Sequence, residues 1–401
     1  MNLLTEKLAV YGGPAVRSKM LPYGHQTIGT PDVEAVVEAL RSAWLTTGPA
    51  VDQFERDFAT TIGTEHAIAV SSGTAALHTA CHALRIGKGD EVIVPAITFI
   101  ASSNSVIYVG GVPVFADVEA DTLTISASDV EAKITDRTKA IVAVDFAGLP
   151  CNYAALRAIV DARGIPILSD ACHSLGATVG GAPAATLADI SVFSFHPVKH
   201  ITTGEGGMIC TNQSEWATRA RKFRNHGIAT DHRERTMTRT FHYEMVELGY
   251  NYRITDLQCA LGSSQLRQLP TFLEKRRRIA AYYDEQIQNM TDVQPLARRP
   301  GVANAYHLYV VKFQLERLRA DRSALFAALN AEGIGVNVHY QPVYQHPYYR
   351  QHFGDQSGCC PEAERAYERI LSLPIFPEMS MQDAEDVIAA LRKVLDYYGR
   401  E

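Results

Sequence analysis

The sequence shows no excess of positive charge, no cysteine framework and no visible secretion signal, and each absence weighs against a class of function. Its formal net charge of −6 leaves no basic footprint for nucleic acid or an anionic membrane. A few local amides and arginines can still hold an anionic substrate. The seven cysteines are scattered and odd in number, which does not describe a disulfide-stapled fold. Reduced thiols in a cytoplasmic protein are the expectation. The start, from Met1 to Lys7, lacks a basic segment followed by an apolar one, so no secretory leader is expected. A single long run, Val92 to Ala116, carries no charge, but Pro95, Asn104, Gly110, Gly111, Pro113 and four Ser or Thr residues interrupt it. It reads as strand, helix and strand in a core, since a spanning helix needs about 20 mostly apolar residues.

Metal ligands in a recognisable pattern are also missing. His339, His346, His352, Cys359 and Cys360 lie near one another in sequence. Their spacings fit no familiar zinc motif, and adjacent cysteines chelate one tetrahedral ion poorly, so no metal is expected. Internal repeats and low-complexity segments are absent. What remains, 401 residues with 46% hydrophobic and 20% charged content, describes a soluble globular chain long enough for two domains.

An alternation of short apolar runs and helical segments fills residues 67–212. Expected strands are Ala67–Val70, Glu91–Pro95, Pro113–Asp117, Ala140–Asp145, Pro166–Asp170, Ile190–Ser194 and Met208–Thr211. Helices such as Thr74–Leu84 and Tyr153–Arg163 separate several of them. The pattern predicts a mostly parallel seven-stranded α/β sheet covered on both faces, with ligands beyond the carboxyl ends of its strands. Ahead of it, Thr30-Pro31-Asp32 announces a helix whose Val33, Val36, Val37 and Leu40 recur at helical spacing. Past about residue 265 a charged helix (Phe272–Met290), a strand (Tyr306–Phe313), a helix (Arg322–Glu332), a strand (Gly335–Tyr340) and a last helix after Ser380 predict a smaller α+β unit. The expected division is 1–264, with an N-terminal arm, and 265–401. Residues Thr230–Phe241 lack periodicity and read as a mobile loop.

Three segments carry chemistry. Lys199 sits in Ser194-Phe195-His196-Pro197-Val198-Lys199-His200-Ile201-Thr202-Thr203-Gly204-Glu205-Gly206-Gly207, an amine opening a turn among small and polar residues. Such a lysine suits Schiff-base catalysis, although an isolated lysine is far more often a solvated surface cation. Asp170 ends the apolar run Ile165-Pro166-Ile167-Leu168-Ser169-Asp170. There it suits pairing with a pyridinium nitrogen or simply caps the next helix. The run Ala67-Ile68-Ala69-Val70-Ser71-Ser72-Gly73-Thr74-Ala75-Ala76-Leu77 is a strand, a small-residue turn and a helix start, a ready seat for phosphate.

Together with Ser169-Asp170-Ala171-Cys172-His173-Ser174-Leu175-Gly176 and Gly249-Tyr250-Asn251-Tyr252-Arg253-Ile254-Thr255-Asp256-Leu257-Gln258, these segments resemble the DegT/StrS-type nucleotide-sugar aminotransferases. That family has fold type I and uses pyridoxal 5'-phosphate, and the resemblance runs from about Leu21 to Gly399. It implies transfer of an amino group from glutamate to a keto sugar carried on a nucleotide. Lys199 would anchor the cofactor and shuttle the proton, while Asp170 would pair with the ring nitrogen. Phe99 would stack on the ring, where an ordinary core phenylalanine is the alternative, and His173 would contact the ring oxygen, where a surface histidine is. Gly73, Thr74 and Ser194 would seat the phosphate.

Asn251 resembles a residue supplied by the neighbouring subunit, which implies a homodimer; Asn251 and Arg253 otherwise read as turn and surface residues. Some relatives carry histidine in place of the lysine and dehydrate sugars, so retention of Lys199 favours amination. The wording around Lys199 is similar to the subgroup that aminates C4, and Gly335–Tyr344 is similar to a pseudaminic-acid pathway member acting on a UDP-sugar. By that resemblance Tyr23, Trp44, Leu45, Thr46, Thr47, Ser72, Arg253, His339, Tyr340, Gln341 and Pro342 would line the nucleotide-sugar cleft. Trp44 stands where a polar residue is expected and Gln341 where a lysine is. Amination at C3, a dTDP- or GDP-sugar, or a cofactor-binding regulator without turnover are the alternatives. No helix-turn-helix segment with a basic face supports DNA binding.

Overall fold

The computed structural model describes residues 7–230 and 239–400. The first six residues of the sequence, and most of the Thr230–Phe241 segment expected to be a loop, lie outside them. All seven expected strands form one sheet: β1 (His66–Val70), β2 (Glu91–Pro95), β3 (Val112–Ala116), β4 (Thr138–Val144), β5 (Ile167–Asp170), β6 (Ile190–Ser194) and β7 (Gly207–Thr211). Their order is β1-β7-β6-β5-β4-β2-β3. Only β7 runs antiparallel to its neighbours. Strands β2 and β5 are buried along their full length, as a sheet covered on both faces requires.

Helices flank the sheet: α1 (Thr30–Arg41), α2 (Pro49–Ile62), α3 (Gly73–Ala83) and α4 (Ile100–Tyr108). Val92–Ala116 is thus strand β2, helix α4 and strand β3, as its interruptions predict. Among the described residues no helix is long and apolar enough to cross a membrane. Helix α1 departs from expectation in two ways. Its cap is Gly29 rather than Thr30, with Asp32 Oδ2 accepting from the Gly29 amide at 2.9 Å. Its buried face is polar: Asp32 is fully buried and its carboxylate accepts from Gln265 (2.7 Å) and Gln268 (2.9 Å). Val33 and Leu40 point outward instead, 54% and 55% exposed.

Both glutamines belong to α5 (Asp256–Ile287), a 32-residue helix that runs straight through position 265. A capping box starts it, Thr255 accepting from Gln258 and Gln258 reaching back to the Thr255 amide. Beyond α5 lies a three-stranded sheet of β8 (Val293–Pro295), β9 (Tyr309–Phe313) and β10 (Ile370–Leu373), covered by α6 (Arg322–Ala331) and α7 (Met381–Tyr398). Its apolar core includes Leu325, Val387 and Leu391 together with Leu8 and Leu21 of the N-terminal arm.

The strand expected at Gly335–Tyr340 does not form. A single bridge joins Asn337 to Ser372, and the next amide, Val338 N–H, donates to Asn337 Oδ1 at 2.8 Å. That local bond ends the ladder and releases the following residues toward the large sheet.

Candidate active site

One cleft of about 600 Å³ gathers the carboxyl ends of β1, β5 and β6 with the released segment Asn337–Tyr340. Its first wall follows β1. Ser72 caps α3 by accepting from the Ala75 amide at 3.1 Å. The amides of Gly73 and Thr74 open the helix without intrahelical acceptors, at the positive end of its dipole. Glycine is needed at 73 because a Cβ there would stand 2.8 Å from Ser194 Cβ. Its absence lets Ser194, at the end of β6, close alongside the helix start. Helix amides, Thr74 and Ser194 therefore converge as an anion seat.

Asp170 ends β5 with 6% exposure. Its Oδ2 accepts from Ser102 Oγ at 2.6 Å and its Oδ1 from the Cys172 amide at 3.2 Å. Ser102 stands one turn inside α4 and also touches Thr98 Oγ1 at 2.7 Å. Among the described residues no lysine or arginine pairs with this carboxylate, so a buried anion faces the cleft with capacity for a cation. Phe99, at the cap of α4, lines the same cleft and is 53% exposed, unusual for so large an apolar ring.

Lys199 lies on the turn after β6, its amide donating to His196 O at 2.9 Å. Burial of its Nζ lowers its pKa from the usual lysine value; Cys172 and Asp170 oppose that shift and Arg276 adds to it. Nζ lies 3.4 Å from His307 Nε2. His307 is one of three buried imidazoles beside the amine. Its ring is 4.3 Å from that of His173 and 5.6 Å from that of His200, centroid to centroid. Burial, with Lys199 and the neighbouring rings adding to it, pushes His173 and His307 well below the ordinary histidine range. Both are neutral near pH 7. His173 Nε2 lies 3.4 Å from Tyr340 Oη, while its buried Nδ1 has no partner among the described residues.

Across the cleft, Tyr23 packs its ring 5.4 Å from His339. His339 Nδ1 meets Ser372 Oγ at 2.8 Å and Nε2 meets Asn337 Nδ2 at 3.4 Å. The amide can only donate, so Nε2 accepts and the ring proton sits on Nδ1. Burial and Lys199 drive His339 down to about 3.

Of the residues named from sequence, Lys199, Asp170, Gly73, Thr74, Phe99, His173, Ser194, Tyr23, Ser72, His339 and Tyr340 line this cleft. Others do not. Trp44, Leu45, Thr46 and Thr47 form an exposed loop after α1, tied to the start of α5 by the Asp256 amide donating to Leu45 O at 3.0 Å. Asn251 is exposed and bridges Asn225, and Arg253 donates to Asn225 Oδ1 at 2.9 Å. Gln341 and Pro342 lead away from the cleft, where the Val343 amide donates to Ala96 O at 3.0 Å. Ser102, Cys172, His307 and Asn337 join the cleft or its support without having been expected there. Only the Thr98-to-Ser102 spacing, one helical turn inside an apolar run, hints at any of them.

A family model described as the DegT/DnrJ/EryC1/StrS aminotransferase family matches residues 26–392. The chain belongs to that family. It is 39% identical over 382 residues to the spore coat polysaccharide biosynthesis protein SpsC of Bacillus subtilis, covering 94% of this chain and 98% of the other. Its fold matches Spr1654 from Streptococcus pneumoniae in its PLP form, with a TM-score of 0.88 and 31% identity over 94% of this chain and 99% of that one. It also matches Helicobacter pylori PseC, an aminotransferase involved in the biosynthesis of pseudoaminic acid, with a TM-score of 0.89 and 30% identity over 95% and 100%.

The fold is therefore that of a fold type I aminotransferase, and the family's cofactor is pyridoxal 5'-phosphate. The DegT/DnrJ/EryC1/StrS cleft of this chain fits that group. Among the described residues it offers a helix-start anion seat whose Cβ-free glycine makes room, a buried carboxylate without a cationic partner, a buried unpaired imidazole nitrogen, and an amine of lowered basicity.

Proposed function

We propose that the protein moves an amino group from glutamate to C4 of a nucleotide-linked 4-keto-6-deoxy sugar, with UDP as the carrier. The observation that carries the amino-transfer chemistry is the convergence of Lys199, Asp170 and the α3 start on one cleft. Pyridoxal phosphate, when bound, supplies an electron sink for moving a proton at the amino-bearing carbon. Lys199 Nζ anchors it covalently and, once released, takes and returns that proton as a general base and acid. Asp170 holds the ring nitrogen protonated. Gly73, Thr74 and Ser194 hold the phosphate, Phe99 presents its ring face, and His173 offers a nitrogen to the ring oxygen.

On the substrate side, Tyr23, Ser72, His339 and Tyr340 orient the sugar. Trp44, Leu45, Thr46, Thr47, Arg253, Gln341 and Pro342, which lie outside that cleft in the single chain, continue the nucleotide's path beyond it. Asn251 serves the cleft of a second copy, so the working unit is a homodimer. The outward Val33 and Leu40, with Trp44 and Leu45 at 37% and 49% exposure, support an apolar face for that copy to cover. Reduced, free cysteines support a cytoplasmic setting. The cofactor-holding unit is residues 1–264 and the smaller unit is residues 265–401.

The test is turnover of purified protein with glutamate over a panel of UDP-, dTDP- and GDP-linked keto sugars. Release of 2-oxoglutarate with a UDP-4-keto sugar, and an amine at C4 of the product, is the expected result. Amination at C3, or preference for another nucleotide, replaces the substrate part of the reading. Cofactor uptake without turnover on any sugar replaces it with a regulatory role.

A further inference from the structure

Arg276, on α5, is 1% exposed and has no carboxylate partner among the described residues. Burying a cation without an anion is strongly unfavourable, so its compensation must come from elsewhere. Three carbonyls supply it: Nη1 donates to Tyr306 O at 3.2 Å, His307 O at 3.3 Å and Ile375 O at 2.9 Å. The guanidinium thereby ties the turn before β9 to the segment after β10, directly behind the cleft. That turn needs holding. Tyr306 has φ of +49°, a conformation that bulky L residues rarely adopt. On its other side His200 Nε2 donates to Ala305 O at 3.1 Å. Arginine and histidine thus clamp residues 305–307 from two directions and leave the His307 ring between His173 and His200, aimed at Lys199.

We propose that His307 is a positioning residue for Lys199, its Nε2 accepting a hydrogen bond from the lysine amine, and that Arg276 fixes where this acceptor stands. An ammonium has no lone pair, so while Lys199 is charged the bond runs one way only and the His307 ring proton sits on Nδ1. Among the described residues Asp170, Cys172, His173, His200, Arg276 and His339 are the other titratable or charged groups that act on the amine. Among the described residues His307 Nε2 is the hydrogen-bond partner of Nζ, at 3.4 Å. A bond of that length steers more than it binds. Its use is to hold one N–H so that the amine's lone pair points along the path of the proton it moves. Misplacing a reacting group by about 1 Å costs roughly 100-fold.

The inference rests on Lys199 being the cofactor anchor, so borohydride reduction and peptide mapping of the native holoenzyme come first. An adduct on another amine overturns that reading itself, whatever the variants at 276 and 307 do. With the adduct on Lys199, His307→Phe keeps the ring volume and removes the acceptor, whereas His307→Gln places a carbonyl oxygen near the Nε2 position. The Phe variant is expected to take up cofactor, melt near the native temperature and lose about 10- to 100-fold in kcat with KM within a few-fold. The pH midpoint of its visible chromophore should fall, because a protonated nitrogen loses its acceptor. The Gln variant should recover most of the rate and the native midpoint. Arg276→Met should lower kcat likewise, and combining it with His307→Phe should cost no more than the larger single loss. Equal rates in native, Phe and Gln proteins overturn the proposal. So do equal losses in Phe and Gln at an unmoved midpoint, and so do losses at 276 and 307 that multiply. Should the Phe variant fail to fold, the Gln variant decides alone: a native midpoint and near-native kcat support the acceptor role, and a loss of 10-fold or more overturns it.

Discussion

Ser102 Oγ stands 2.6 Å from Asp170 Oδ2, with both side chains buried. A helix that follows one strand thus supplies a hydroxyl to a carboxylate at the end of another, two strands away across the sheet. Ser102→Ala leaves the anion short of a donor in a dry setting. Losing a hydrogen bond to a buried charged group costs about 1–3 kcal/mol. Urea denaturation of the cofactor-free variant should show a loss of that size with an unchanged m-value. An unaltered midpoint would mean that water replaces the hydroxyl.

Replacing Asp170 itself separates its chemical role from its structural one. Asp170→Asn keeps an acceptor oxygen for the Cys172 amide and turns its NH2 to donate to Ser102 Oγ, but it cannot keep a ring nitrogen protonated. Cofactor should still bind, and kcat should fall by about 100-fold or more, the scale of losing one preorganised electrostatic partner. Near-native rates would remove Asp170 from the chemistry. Lys199→Ala should fold normally and lose the yellow imine chromophore altogether. A protein-attached adduct that borohydride still traps after the change places the covalent link on another amine.

Legibility in the sequence follows the strength of local constraint. The strands of the large sheet are readable because burial on both faces demands uninterrupted apolar runs, as in Glu91–Pro95 and Ile167–Asp170. Lys199, Asp170 and Gly73 are readable because each sits where a strand ends and the chain must turn. Gly335–Tyr340 defeats its own pattern: its β-like residues meet Ser372 at one bridge only, since the Asn337 side chain takes the next amide. Helix α1 misleads for a related reason. Its apolar stripe is real, but within one chain the polar pair Asp32 and Gln265 does the packing. His307 carries no local pattern at all, and Ser102 only its one-turn spacing from Thr98. Their roles arise from residues about 70 and 108 positions away.

A buried carboxylate gives the stability a pH dependence. Asp145, just past the end of β4, is fully buried and accepts from Ser174 Oγ at 2.6 Å, Tyr153 Oη at 2.9 Å and the Cys151 amide at 2.9 Å. Burial raises it to about 6, against the opposing pull of those donors. The folded state therefore holds a proton that the unfolded chain releases near pH 4, and this contribution to stability is lost as pH rises from about 4 through 6. Asp145→Asn removes the titration. Its unfolding free energy relative to native should climb by about 3 kcal/mol between pH 4 and pH 7. Parallel curves for the two proteins over that range would show that Asp145 ionises as it does in the unfolded chain.

The residues that miss the cleft make the strongest prediction about assembly. Asn251 and Arg253 are bound to Asn225 rather than turned toward Lys199, and the outward stripe of α1 lies on a helix whose following loop, Trp44–Thr47, is tied to the same region. If a second copy covers that stripe, Val33→Glu with Leu40→Glu should convert a pair into single chains by light scattering and abolish turnover without unfolding. Shared sites have a sharper signature. Lys199→Ala and Asn251→Asp should each be inactive alone, the second because it sets an added negative charge in the shared cleft. Unfolding and refolding the two together should restore activity to about a quarter of native. Half of the randomly formed pairs are mixed, and each mixed pair holds one site with both residues intact. Asn251 acting within its own chain gives no recovery on mixing, because every site then lacks one of the two.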